Sequence, residues 1–179
     1  MIPCHTYRVS NSALHWILRD ESTRMSTLRG VLAALRPGGS FAFEMGGHGH
    51  VHEVFTAIMY TLVHHGVPMD RAKAINRWFF PSEAYMTRSL EKAGFIVEKT
   101  EVEYRPTKLT TAEGGGLAGW VKLFGAPMIQ ALPVEKQEPA VSQICEVLEP
   151  VVTRIEDGSQ WLAYVRLRGI AHKQPSVKR

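Results

Sequence analysis

Tyr7-Arg8-Val9-Ser10-Asn11-Ser12-Ala13-Leu14-His15-Trp16-Ile17 reads as a short extended run, Tyr7 to Ser10, that ends in a polar Ser-Asn-Ser and passes through Leu-His-Trp towards a helix. Asp20 or Ser22 can cap that helix, and Met25, Leu28, Leu32 and Leu35 recur at helical spacing to form one apolar face. Arg36-Pro37-Gly38-Gly39 is the expected turn closing the helix, because Pro37 cannot continue it and glycine suits a helix end. Phe41 to Met45 then reads as a strand that is apolar on both faces, as a strand buried between helical layers would be. Strand, helix and strand in this order build a parallel sheet, and ligands of such sheets bind at the carboxyl ends of the strands. Asn11 to Trp16 and Glu44 to His52 would lie there.

Further along, Val54, Phe55, Ile58, Met59, Leu62 and Val63 form an apolar stripe on a helix that stops near Gly66-Val67-Pro68. Pro81-Ser82 starts another helix and Gly94 ends it, with a long strand, Phe95 to Tyr104, behind it. Pro106 to Gly116 is expected as a loop whose three closing glycines make a hinge or tight turn. It is no phosphate cradle, since no Lys-Ser/Thr follows at motif spacing. Helices over about Leu117–Leu132 and Ala140–Ile155, the second bent at Pro150, precede a last strand from Gln160 to His172. No repeat and no strong linker divides the chain.

The 179 residues suit one domain. A hydrophobic share of 45% and a charged share of 21% are ordinary for a globular protein. No apolar run approaches the roughly 20 residues of a membrane span, and the N-terminus lacks a leader pattern, so a cytoplasmic location is expected. The net charge of +4 is carried by scattered Lys and Arg without a basic stripe, which argues against nucleic acid. The one cluster, Lys173 to Arg179, reads as a frayed polar tail. Cys4 and Cys145 fall in unlike contexts, and Cys145 reads as a small core residue on a helix face.

Ser-Asn-Ser-Ala-Leu-His-Trp, Leu-Arg-Gly-Val-Leu-Ala-Ala-Leu-Arg-Pro-Gly-Gly and Phe-Glu-Met-Gly-Gly-His-Gly together resemble class I S-adenosylmethionine-dependent methyltransferases, in the small-molecule group that includes trans-aconitate methyltransferase. Trp78 to Ser82, Leu90 to Phe95 and Gly119 to Phe124 extend the likeness. It implies an α/β fold: the C-terminal half of a Rossmann-like sheet, about four strands with the last one antiparallel, helices on its faces and a helical cap, in one N-terminally truncated domain over residues 1–179. The family's glycine-rich turn, ribose-binding acid and adenine loop have no counterpart in the chain. Of the cofactor side only Ser10, Asn11, Ser12, Ala13 and Leu14 carry over.

The resemblance implies a small-molecule methyltransferase with S-adenosylmethionine as cofactor. Two other readings stay open: a cofactor-independent cyclase, pericyclase or isomerase on the same fold, and a non-catalytic partner of a full-length methyltransferase. An unpaired first strand implies a homo-oligomer or a partner chain. His15, past a strand end, is either a base titrating near neutrality or a structural residue bonded to a backbone carbonyl at a helix start. Glu44, ending a buried strand, is either a pocket acid with a pKa raised by desolvation or a group facing loop amides and water. His48, His50 and His52 read as loop histidines, the first two as substrate contacts and none as a metal ligand, because alternating side chains diverge. Trp16, Trp78, Phe79, Tyr85, Trp120 and Phe124 are either core residues or the lining of an apolar substrate chamber.

Overall fold

The computed structural model describes residues 5–76, 78–112 and 114–176. In chain order the elements are β1 (His5–Asn11), α1 (Leu14–Ile17), α2 (Glu21–Ala33), β2 (Leu35–Gly46), α3 (His52–His64), α4 (Met69–Ile75), α5 (Glu83–Ala93), β3 (Phe95–Tyr104), β4 (Thr107–Lys108), α6 (Gly116–Phe124), α7 (Ala126–Ile129), α8 (Val134–Val152), β5 (Trp161–Leu162) and β6 (Val165–Lys173). They fall into two compact units. One holds the segments 1–50, 78–104 and 165–179, the other the segments 51–77 and 105–164.

The first unit is a four-stranded mixed sheet in the order β1-β2-β6-β3. β1 and β2 are parallel, and β6 runs antiparallel to both β2 and β3. The expected antiparallel last strand is therefore β6. Local chemistry sets the helix ends. Asp20 Oδ1 accepts the Ser22 N–H at 3.0 Å at the start of α2. Ser82 Oγ accepts the Tyr85 N–H at 3.2 Å at the start of α5, and Gly94, at φ +105°, closes α5 in the left-handed region open to glycine. Phe41, Phe43, Met45, Leu167 and Ala171 of the sheet bury against Leu28 of α2 and Met86 and Leu90 of α5. Burial of each large side chain contributes about 1.5–3 kcal/mol.

The Pro-Gly-Gly segment does something other than end α2. The helix stops at Ala33, where the Ala34 N–H returns to Gly30 O, and Leu35 already belongs to β2. Pairing steps from His5↔Leu35 to Tyr7↔Ser40, so Pro37, Gly38 and Gly39 bulge out of the strand. Gly38 sits at φ +75°, and a Cβ on Gly39 would come within 3.1 Å of the carbonyl oxygens of His5 and Thr6. Glycine is needed here for the bulge and its close approach to β1.

Among the described residues, the helices of this unit pack on one face of the sheet. Tyr7 and Val9 of β1 are 71% and 76% exposed on the opposite face, in cross-strand rows with Ser40, His172 and Ile96 and with Ala42 and Ile170.

The second unit is helical. Val54, Ile58 and Leu62 of α3 and Ala140, Val141, Ile144 and Leu148 of α8 are buried. The expected single helix over Leu117–Leu132 is two helices, because Pro127 lacks an N–H and starts α7 after Gly125. α8 begins at Val134, earlier than the apolar pattern indicates, and takes Pro139 and Pro150 inside it. Cys145 on α8 is half-buried, and burial raises its thiol pKa; Cys4 lies outside the described residues. Within the expected loop, Thr107 and Lys108 pair with Leu162 and Trp161, so the expected final strand is divided into β5 and β6. Lys173 ends β6 with its Nζ donating to Leu35 O, and is no part of a frayed tail. Among the described residues no helix is long and apolar enough to cross a membrane.

Candidate functional site at the carboxyl ends of the parallel strands

β1 ends in Ser10 and Asn11. The Ser10 hydroxyl is buried and has no hydrogen-bond partner among the described residues, while the Asn11 side chain is exposed. Ser12, at φ +53°, turns the chain; its N–H donates to Glu44 O at 2.9 Å and its hydroxyl to Asn11 Oδ1 at 3.2 Å. Ala13 and the buried Leu14 lead into α1, which carries His15 and Trp16 with ring centroids 5.2 Å apart.

His15 is 9% exposed, and its Nδ1 accepts the Gly46 N–H at 3.3 Å. That bond places the ring proton on Nε2. The sequence suggests a histidine titrating near neutrality; burial, then the charge of Arg166, lowers its pKa from 6.5 to about 4. His15 is thus a neutral imidazole at pH 7. The backbone contact is also of the opposite sense to the one expected, since the ring accepts from an N–H and does not donate to a carbonyl.

Glu44 lines a groove and is held by two arginines of β6. Arg168 Nε donates to its Oε2 at 2.7 Å, and Arg166 Nε lies 3.7 Å from its Oε1. Arg168 also pairs with Glu103, and Arg166 Nη1 reaches Ser12 Oγ at 3.5 Å. Glu44 and two guanidiniums of β6 therefore form a charged row beside Asn11 and Ser12. This row borders a groove of about 350 Å³ lined by Val9, Asn11, Glu44, Lys99, Glu101 and Arg168, among others.

The loop histidines separate. The His48 side chain is exposed while its N–H donates to Pro81 O at 2.9 Å. His50 is 6% exposed and its Nδ1 accepts the Val165 N–H at 3.1 Å, so it is a built-in residue of the fold. Phe80, which sequence reasoning passed over between Phe79 and Pro81, is the hub here. Its ring lies 5.8 Å from His15, 4.7 Å from His50 and 5.9 Å from Trp78. A Cβ on Gly46 would come within 2.6 Å of the Phe80 ring.

Phe79 and Tyr85 serve Arg24 of α2. The guanidinium stacks 3.9 Å from the Phe79 centroid and Nη1 donates to Tyr85 Oη at 2.8 Å. Trp120 and Phe124 belong to the helical unit. There the Trp120 ring N–H donates to Tyr164 Oη at 2.8 Å, and a cavity of about 290 Å³ is lined by Trp120, Leu123, Phe124, Tyr164 and the Gly114–Gly116 loop. Among the described residues no three His, Cys, Asp or Glu side chains converge on a metal position.

Of the residues proposed from sequence, His15, His50 and Trp78 come together around Phe80, Ser12 and Glu44 gather at Arg166 and Arg168, and Phe79 and Tyr85 are engaged with Arg24. Arg166 and Arg168 had only their alternation along an apolar strand as a signal, and Phe80 had only its place in an aromatic run.

No protein-family model matches the chain. Over 175 residues, 97% of its length, the chain is 37% identical to the uncharacterized methyltransferase C70.08c of Schizosaccharomyces pombe (strain 972), and it spans 65% of that protein. Among solved structures it superposes on a loganic acid methyltransferase solved with SAH (TM-score 0.54, 12% identity, 98% of this chain and 63% of the other). A Bacillus halodurans C-125 protein assigned as a methyltransferase gives a TM-score of 0.52 at 13% identity, over 98% of this chain and 67% of the other. At such identities the superpositions establish architecture alone. The architecture is the Rossmann-like α/β arrangement seen in these structures, here as a four-stranded mixed sheet with flanking helices.

Proposed function

We propose that the chain acts in methyl transfer from S-adenosylmethionine to a small molecule, in the group that resembles trans-aconitate methyltransferase, and that it forms the substrate-side portion of a longer transferase domain. The observation that carries this is the 37% identity, sustained over 97% of the chain, to a methyltransferase of which the chain spans 65%. The carboxyl end of β1 supports this reading, because it presents the exposed Asn11 amide and the Ser12 hydroxyl. Ser10, Asn11, Ser12, Ala13 and Leu14 would hold the cofactor there. When bound, it supplies an electrophilic methyl group on a sulfonium centre, and the protein's share of the rate is positioning.

In this reading His15 orients the substrate by donating from Nε2, its neutral state secured by burial and Arg166. With Glu103, the Glu44–Arg166–Arg168 row keeps its charges matched beside this end of the sheet. The outer edge of β1, a terminal strand of the sheet as described, is where we place a second copy or a partner chain. Titration calorimetry of the whole chain with S-adenosylmethionine should show binding that Asn11→Ala weakens. Absence of both heat and thermal shift up to millimolar cofactor overturns the reading.

A further inference from the structure

On the face of the sheet opposite α2 and α5, away from the strands' carboxyl ends, three side chains from three strands form a hydrogen-bonded line. Ser40 of β2 and His172 of β6 are cross-strand partners, with Ser40 Oγ 3.0 Å from His172 Nδ1. His172 Nε2 lies 2.6 Å from Glu98 Oε2 of β3. A carboxylate only accepts, so Nε2 carries a proton; in the neutral ring Nδ1 is then the acceptor and the Ser40 hydroxyl donates to it. Hydroxyl, imidazole and carboxylate are thus in the order in which a nucleophile, its base and the group orienting that base are joined.

Both ends of the line sit at breaks in strand pairing. Glu98 is the extra residue of a β-bulge, since Val97 pairs with Ala171 and Lys99 with Ile170. Ser40 is the first residue paired after the Pro37–Gly39 bulge. Bulges re-aim side chains locally. Tyr7 and Ile96, exposed at 71% and 46%, extend the same cross-strand row on either side, with Val9 and Ile170 in the next row.

We propose that Ser40, with His172 and Glu98, is a second reactive site, an activated serine that cleaves esters with an apolar acyl group. Ser40 Oγ bonds to the ester carbonyl carbon as its proton passes to Nδ1 of His172. The bond to the alcohol oxygen breaks, and that oxygen takes the proton. Water then attacks the acyl-serine, gives a proton to Nδ1, and the acyl–Oγ bond breaks as Oγ regains it. Glu98 holds the ring and balances its transient charge. The ring is turned end for end relative to the usual serine-hydrolase line, and imidazole is basic at either nitrogen.

The test is covalent labelling of the whole chain with an alkyl fluorophosphonate, in which Oγ bonds to phosphorus, fluoride leaves and His172 takes the proton. The expected result, by mass spectrometry, is one adduct on Ser40, forming about a hundredfold more slowly in His172→Gln and several-fold more slowly in Glu98→Gln. Circular dichroism reports whether each variant remains folded, and the exposed Ser22 of the same chain is the unreactive comparison. No adduct at Ser40, or an equal rate in a folded His172→Gln chain, overturns the proposal. Neither result depends on cofactor binding.

Discussion

The depressed basicity of His15 makes the stability of the chain depend on pH in a calculable way. In the unfolded chain the imidazole has its ordinary value of 6.5, and in the fold about 4. Between these values the unfolded chain binds the proton and the folded one does not, so stability rises with pH across this window. The contribution is fully present above 6.5, declines as pH falls, and is lost once pH passes below 4. At 1.36 kcal/mol per pKa unit, moving from pH 7.5 to 4.5 removes about 2–3 kcal/mol. Urea unfolding at a series of pH values would measure it, with His15→Asn as reference. Asn cannot titrate, yet its Oδ1 can accept the Gly46 N–H. The wild-type chain should lose about 2–3 kcal/mol more than His15→Asn over this range, and the His15 ring signals in an NMR titration should stay those of a neutral imidazole at pH 5. Parallel pH profiles for the two proteins, or a His15 ring titrating near 6.5, would refute the assignment of burial and Arg166 as its cause.

Gly46→Ala should destabilise the chain by about 1–3 kcal/mol through overpacking, because the added methyl meets the Phe80 ring at 2.6 Å; a thermal midpoint lowered by several degrees checks it, and an unchanged one counts against Phe80 as the hub. Ser82→Ala removes the side-chain acceptor at the start of α5 and should cost about 1 kcal/mol in urea unfolding, whereas Ser82→Asp should retain most of that stability.

Much of the fold is legible in short-range patterns. The caps at Asp20 and Ser82, the glycine at 94 and the bounds of Phe95–Tyr104 follow from chemistry within a few residues. The Pro-Gly-Gly segment misleads because a helix end and a strand bulge ask for the same residues, and only pairing with His5 and Tyr7 distinguishes them. Pro127 similarly breaks an apolar run whose spacing alone reads as continuous. The site is less legible for a physical reason. The partners of Glu44 and Ser40 lie 124 and 132 residues further along the chain, on a strand whose register no local signal reveals. Arg24 likewise occupies Tyr85 from 61 residues away, which turns apparent pocket aromatics into a clamp.

The place of β6 in the sheet has a consequence for how the chain reaches this state. β6 lies between β2 and β3 although it follows both in sequence, and the 105–164 segment is made before it. During synthesis, Phe41 and Met45 on one strand and Phe95 on another wait for their common neighbour until residues 165–173 have left the ribosome. Such distant pairing is slow to nucleate, and unpaired apolar strands are prone to aggregate meanwhile. Folding of the sheet is therefore gated by the arrival of residues 165–173, and helper proteins that shield nascent strands would act on this chain in that interval.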